Sequence, residues 1–238
     1  MRYDPPLLSG TLIERYKRFL ADITLEDGRV VTAHTPNSGS MMGCSTPGSP
    51  VLVKSADKPS RKLKWDWEQI FVDGQWVGVR PVLANDLVEE AINAGVIEEL
   101  QGYPSMRREV GYGSQRSRID ILLEDPSAGT RCYCEVKSVS LARGDQGHFP
   151  DAVSKRGAKH LAELMEMKAG GDRAVMLFCV QREDVVEVRP ADDIDPAYGK
   201  ILREAQAAGV ELLAYKVRLN REEIAISTRV PVVLPPLD

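Results

Sequence analysis

Hydrophobic and polar positions alternate through the first third of the chain, and the period then changes. Leu12 to Leu25 reads as one long strand ending at Glu26-Asp27-Gly28, a strong hairpin turn signal. Arg29–His34 follows as its partner, and Pro36–Met41 breaks the chain with turn formers. Val51–Lys54, Leu63–Val72 and Gln75–Val79 supply further short strands, the last two joined at Asp73-Gly74. About five strands in 80 residues without a helical period suggest a small closed barrel, since closure removes exposed edges. A five-stranded barrel of this size suggests an OB-fold, an architecture that often binds single-stranded nucleic acid.

Beyond residue 82 helical and strand periods take turns. Asn85 stands as an N-cap to Asp86–Asn93, with Leu87, Val88, Ala91 and Ile92 as the apolar stripe and Gly95 past the end. Arg107–Tyr112 reads as a strand. Ile119, Ile121 and Leu123 alternate with Asp120 and Leu122 in a second, and after the turn cluster Pro126–Gly129 a third runs from Cys132 to Val139. A polar loop over 143–151 precedes a helix reaching about Lys168, with Leu161, Leu164 and Met165 inward. The apolar run Arg173–Gln181, a helix over Tyr198–Ala208 and a strand over Val210–Val217 complete the pattern. The chain therefore reads as a mixed α+β protein of two parts, a barrel over 1–82 and an α/β domain over 83–238 whose central order is αβββαβ.

One constellation gives that order chemical content. Period-2 geometry puts Glu135 and Lys137 on one face of their strand and Cys132, Cys134 and Val136 on the other. An antiparallel hairpin brings Asp120 to them. Two carboxylates and an ammonium on a sheet can hold a hard divalent cation beside a phosphate, with the lysine orienting water. Asp, a gap, then Glu-x-Lys is the layout of the PD-(D/E)xK nucleases, and the αβββαβ order is that of the restriction-endonuclease-like core. The plain alternative is a set of solvated charges on a two-stranded ribbon, since such spacings arise by chance. Agreement between motif and topology favours the site. Glu109, at the start of the core, is a further carboxylate for the metal or an ordinary ion-pair partner of Arg107 or Arg108.

Net charge is −4, so no global basic signal marks a nucleic-acid partner. The balance is uneven, with 11 Lys and Arg against 9 Asp and Glu in 1–82, and 20 against 26 in 83–238. Any DNA contact must come from local patches. Arg15, Lys17 and Arg18 form one on the first strand, where Arg15 and Lys17 share a face with Phe19. Arg61, Lys62 and Lys64 form another, in the run from Lys58 to Trp67, where Trp65 and Trp67 serve either as barrel core or as stacking surfaces for bases. The i, i+4 pairs Lys155/Lys159 and Arg156/His160 make a polar helix stripe able to clamp phosphates, or simply a solvated face. His34, Asn37, Ser38 and Ser40 read as turn residues before catalytic ones, and Gln181 ends its strand near the site. Cys44, Cys132, Cys134 and Cys179 show no metal-type spacing. The start lacks the apolar run of a signal peptide and nothing approaches membrane-spanning length, so a cytoplasmic protein without a membrane partner is expected.

Several runs together resemble one family along almost the whole chain: Arg15–Asp22, His34–Met41, Arg61–Leu63, Glu109–Gly113, Ser117–Asp120, Cys132–Lys137, Phe149–Ala152 and Arg156–Leu161. The chain resembles the sugar fermentation stimulation protein A family. That resemblance implies an OB-fold joined to a PD-(D/E)xK nuclease-like domain, DNA binding linked to regulation of sugar-utilisation genes, and a metal site at Asp120, Glu135 and Lys137. Thr35 and Ser38 stand where the family more often has Cys and Thr, and Ser138 and Ser140 where Asn and Thr are usual. The expectation is a Mg²⁺- or Mn²⁺-dependent nuclease, with the cation on Asp120, Glu135 and the Val136 carbonyl and with Glu109 in support. Lys137 would orient the attacking water, acting on DNA that includes single-stranded or branched forms. The alternative is a non-catalytic DNA-binding regulator that keeps the nuclease fold. A homodimer is left open.

Overall fold

The computed structural model describes residues 1–56 and 61–236, and within it the first part of the chain closes into a barrel. Its strands are β1 (Leu8–Tyr16), β2 (Leu20–Leu25), β3 (Val30–His34), β4 (Pro50–Ser55) and β5 (Trp65–Val72), with β6 (Gln75–Gly78) continuing beside β5. β1 pairs with β2 and β4, β2 with β3, and β4 with β5, all antiparallel. A short parallel contact of Ala33 and His34 with Trp65 and Asp66 closes the ring, giving the five-stranded OB arrangement. Alternation does the work: Ala21, Ile23 and Leu25 point into a core shared with Leu12, Val51, Val53, Trp67 and Ile70. Trp67 is fully buried there and donates its indole N–H to the Gln69 carbonyl at 2.9 Å. It is core, not a stacking surface.

The single long strand expected over Leu12–Leu25 is two strands. Lys17 and Arg18 take left-handed φ values of 45° and 64° and reverse the chain between Tyr16 and Leu20. No Gly, Asn or Pro marks the place, so the turn is silent in the pattern. Arg15, Lys17 and Phe19 therefore do not share a strand face. Lys62 and Lys64 likewise precede β5, which begins only at Trp65, and both are exposed. The Lys58 end of that basic run lies outside the described residues.

A 3₁₀ turn over Pro81–Leu83 runs directly into helix α1 (Ala84–Asn93), which makes Asn85 the second helical residue and not the cap. Then come β7 (Ser105–Tyr112), β8 (Ser117–Asp125), β9 (Thr130–Val139), β10 (Ala142–Arg143), β11 (Gln146–Phe149), α2 (Lys155–Ala169), β12 (Arg173–Val180), β13 (Glu187–Pro190), α3 (Pro196–Ala207), β14 (Glu211–Leu219) and β15 (Ile224–Val230). The main sheet has the order β15-β14-β12-β9-β8-β7, with β9, β12 and β14 parallel and both edges antiparallel. The polar 143–151 loop carries part of a small second sheet, in which β11 pairs with β10 and β13. That sheet and β15 were not foreseen from the pattern.

One face of the main sheet packs on α1 through Cys132, Cys134, Val136 and Leu177; the other packs on α2 and α3 through Tyr133, Val139, Met176 and Phe178. Each large apolar side chain so buried contributes about 1.5–3 kcal/mol. The four cysteines are free and buried. Barrel and α/β domain are bonded to each other. The Gly78 N–H donates to the Gln181 carbonyl at 2.8 Å, the Gln69 side-chain amide to the Asn220 carbonyl at 2.8 Å, and Val77 bridges to Arg182. Gln181 is thus part of the joint between the two domains. Among the described residues, no helix is long and apolar enough to cross a membrane.

Candidate functional site

The site starts where two strands part. β8 and β9 pair from Asp125/Thr130 to Ile121/Cys134 and then separate, although both strands continue. At that point the Asp120 side chain takes over from the ladder. Its Oδ2 accepts the Val136 N–H at 2.8 Å, and its Oδ1 accepts from the Asn85 side-chain amide at 2.8 Å across from α1. Val136, expected to offer a carbonyl to a metal, thus meets Asp120 through its N–H. Asn85, read from the sequence as a cap, is a positioning residue for Asp120.

Glu135 is 1% exposed. Its Oε1 accepts from Lys137 Nζ at 2.7 Å and from His160 Nδ1, which reaches it from α2. Arg156 Nε lies 3.2 Å from His160 Nε2, so a ring that donates from Nδ1 and accepts at Nε2 meets both neighbours. The other Glu135 oxygen, Oε2, is buried with no hydrogen-bond partner. The two carboxylates are pushed in opposite directions. Burial, with the Glu135 charge adding to it, raises the Asp120 pKa above the usual aspartate value. Burial works on Glu135 too, but the His160 hydrogen bond and the Lys137 charge outweigh it and hold the group below the usual glutamate range.

A half-buried carboxylate whose charge is disfavoured by a second, fully buried one, the latter with an orphaned oxygen, is what a hard cation would relieve. Among the described residues no group of three or more His, Cys, Asp or Glu is gathered closely enough to hold a metal by itself. Mg²⁺ does not require one, since it keeps several waters and binds through one or two carboxylates. Asp120 and Glu135 therefore fit that cation. The β7–β8 register sets Glu109 opposite Asp120, with Arg108 facing Ile121 and Val110 facing Ile119. Glu109 is exposed and has a left-handed φ of 54°. It does not pair with its neighbours: Arg107 pairs with Glu124, and Arg108 with Asp86 and Glu89.

Beside these residues is a cleft of about 320 Å³ lined by Glu109, Arg116, Arg118, Arg156, Lys159 and His160. Arg118 donates to the Glu109 carbonyl and Lys159 to the Gln115 carbonyl, each at 2.9 Å. Among the described residues, none of Arg116, Arg118, Arg156 and Lys159 has a carboxylate ion-pair partner. Lys155 is the exposed first residue of the same helix. Arg116 and Arg118 were missed in the sequence, although Gln115-Arg-Ser-Arg118 is a basic run leading straight into Asp120.

The barrel candidates are elsewhere and differently employed. Arg15 donates to the carbonyls of Arg18 (2.7 Å), Asn37 (3.0 Å), Gly39 (3.3 Å) and Ser40 (3.3 Å), clasping the 37–40 loop. Arg61 forks onto Asp66 at 2.8 and 2.7 Å. Lys17 and Arg18 lie in the exposed β1–β2 turn. His34 sits 3.7 Å from Asp66.

Comparison with known proteins follows the same division. Residues 13–79 match the family model described as the SfsA N-terminal OB domain, and residues 82–223 the one described as the sugar fermentation stimulation protein RE domain. The sugar fermentation stimulation protein homolog of Geobacter metallireducens is 54% identical over 234 residues, covering 98% of this chain and 100% of its own. That of Pelobacter propionicus is 55% identical over 230 residues, covering 97% and 99%. The solved structure of Pyrococcus furiosus SfsA in complex with Ca²⁺ superposes with a TM-score of 0.87 at 27% identity, covering 98% of both chains.

Proposed function

The chain belongs to the sugar fermentation stimulation protein family, and we propose that it binds DNA and hydrolyses phosphodiester bonds with Mg²⁺ or Mn²⁺. The observation that carries this reading is the juxtaposition of Asp120 and Glu135, at the parting of β8 and β9, with a cleft of four cations that lack carboxylate partners among the described residues. In a protein of net charge −4, cations left uncompensated in one cleft are suited to a polyanion. The Ca²⁺ bound by the Pyrococcus relative supports a place for a hard, oxygen-seeking cation.

Asp120 and Glu135 would hold the cation, which when bound supplies Lewis-acid stabilisation of charge developing on the phosphate. Lys137, 2.7 Å from Glu135, orients the attacking water. His160 fixes Glu135 in place, and Asn85 fixes Asp120. Arg116, Arg118, Arg156 and Lys159 grip the flanking backbone. Effects on sugar utilisation would follow from action on DNA. A second reading, a DNA-binding regulator without catalysis, draws on one feature: Glu135 Oε1 is already engaged by both Lys137 and His160.

Cleavage of labelled single-stranded, duplex and branched DNA in Mg²⁺ or Mn²⁺ separates the two. Asp120→Ala and Glu135→Ala are expected to lower the cleavage rate by about a hundredfold or more, with thermal unfolding and most DNA affinity retained. Unchanged cleavage in both variants removes the site assignment. Binding with no cleavage of any substrate favours the regulator.

A further inference from the structure

A second cavity, distinct from the basic cleft, lies between the barrel and the α/β domain. We propose that it receives a single unstacked nucleobase of the bound strand, an inference that rests on the DNA-binding reading above. The cavity measures about 270 Å³ and is bounded by the 37–39 loop of the barrel, the end of β9 and the segment leading into α2. It occupies the crevice at the carboxyl end of a parallel strand and at a domain boundary, both preferred locations for ligands. Ser138, on its wall, directly follows Lys137 in the chain. The cavity and the proposed cation site therefore share β9, at whose end the cavity opens, and on this proposal the bound strand runs on from one to the other.

The lining selects the ligand class. No Lys or Arg contributes to it and Asp151 does, so a phosphate is disfavoured and stays outside. Leu141, Phe149 and Pro150 supply apolar walls, while Ser138, Ser140 and His148 supply hydrogen-bonding groups. Flat apolar walls with a few polar groups suit a neutral heterocycle read on its edge. His148 is the second observation. It is 8% exposed, and neither ring nitrogen makes a well-formed hydrogen bond; the Pro190 carbonyl lies close enough to one to act on the ring's pKa, which leaves the other without a partner among the described residues. Burial and the Arg143 charge lower that pKa, which leaves a neutral imidazole with one donor and one acceptor. Buried polar groups of this kind normally have partners, and an inserted base brings the missing one.

The cavity is also built before any ligand arrives. Asp151 accepts the Met41 N–H at 3.1 Å and the Ser40 hydroxyl, latching the barrel loop to the segment before α2. Gly39 lies so close that a Cβ there would run into the Asp151 carboxylate.

The test is an abasic scan. Binding of the full chain to a single-stranded oligonucleotide is measured with one base removed at a time. One position is expected to lose about tenfold in affinity, the worth of one base contact. Ser140→Phe fills the cavity from within. Val153→Trp fills it from an exposed rim position, 70% exposed, where folding is not at stake. Thermal unfolding checks both. In each folded variant, affinity for the intact oligonucleotide should fall to the wild-type abasic value, and the sensitive position should disappear. A flat scan with tight binding overturns the base pocket and leaves DNA binding standing, as does a sensitive position that persists in both folded variants. Failure of the wild type to bind any oligonucleotide overturns both readings. A flat scan together with saturable glucose binding that both variants abolish reassigns the cavity to a free sugar.

Discussion

In the barrel, Arg61 closes a fork on Asp66, Arg80 joins Asp66 and Glu68, and Arg15 donates to four carbonyls of neighbouring turns. Around the cleft of the α/β domain, Arg118, Arg156 and Lys159 meet carbonyls or an imidazole, and none of these three or Arg116 has a carboxylate partner among the described residues. The same residue types thus do opposite jobs. A guanidinium already neutralised by a buried carboxylate has little to offer a phosphate, because binding would first strand the carboxylate. A cation without a counter-ion has no such obstacle. The barrel's charge excess in sequence thus includes guanidiniums already committed to carboxylates, and on the DNA-binding proposal above the cleft of the α/β domain, acidic on balance, is the surface expected to meet the phosphates.

Three changes can break or sharpen this contrast. The largest effect is expected from Arg156→Ala combined with Lys159→Ala, which should weaken DNA binding by about tenfold and reduce the slope of log affinity against log salt by about 2. A salt titration reads both. An unchanged slope would detach the cleft from the phosphate backbone. Arg61→Ala should do the reverse, leaving the DNA salt slope alone while costing about 1 kcal/mol of stability, a figure discounted for the partial exposure of Arg61. Chemical denaturation measures that cost, and a loss of DNA affinity without loss of stability would put Arg61 back among the DNA contacts.

The smallest effect concerns pH. Burial pushes the Asp66 pKa up, but the Arg61 hydrogen bond and the Arg80 and Arg61 charges outweigh it, and the net position is below the usual aspartate value. A depressed folded-state pKa contributes stability that is present above the unfolded value and is lost as pH falls through the folded one. Unfolding temperatures followed from neutral into strongly acidic buffer should show that loss in the wild type. Asp66→Asn should be less stable at neutral pH and should show a shallower acid decline. Parallel curves would mean that Arg61 and Asp66 are not coupled to folding.

Much of the α/β domain was legible because its signals are local. Ala174–Val180 is an unbroken apolar run, buried between two parallel neighbours. Glu135 and Lys137 had to share a face because strand parity leaves no choice. The β1–β2 turn was not legible, since Lys17 and Arg18 adopt left-handed φ with side chains that carry no turn preference. β10 and β11 were hidden for a related reason: two- and four-residue strands are too short to show a period.

By itself, then, the chain determined its division into a barrel and an α/β domain and the grouping of Asp120, Glu135 and Lys137. Each of these follows from periodicity and turn chemistry within a few residues. Tertiary structure alone decided the surroundings of that group. Asn85 reaches Asp120 from a helix 35 residues earlier, and His160 reaches Glu135 from one 25 residues later. Which cations remain uncompensated was likewise settled by long-range pairing, as when Arg173 finds Glu211 and Arg108 finds Asp86 and Glu89. Charge neutralisation depends on distance in space, and no window along a sequence contains that distance.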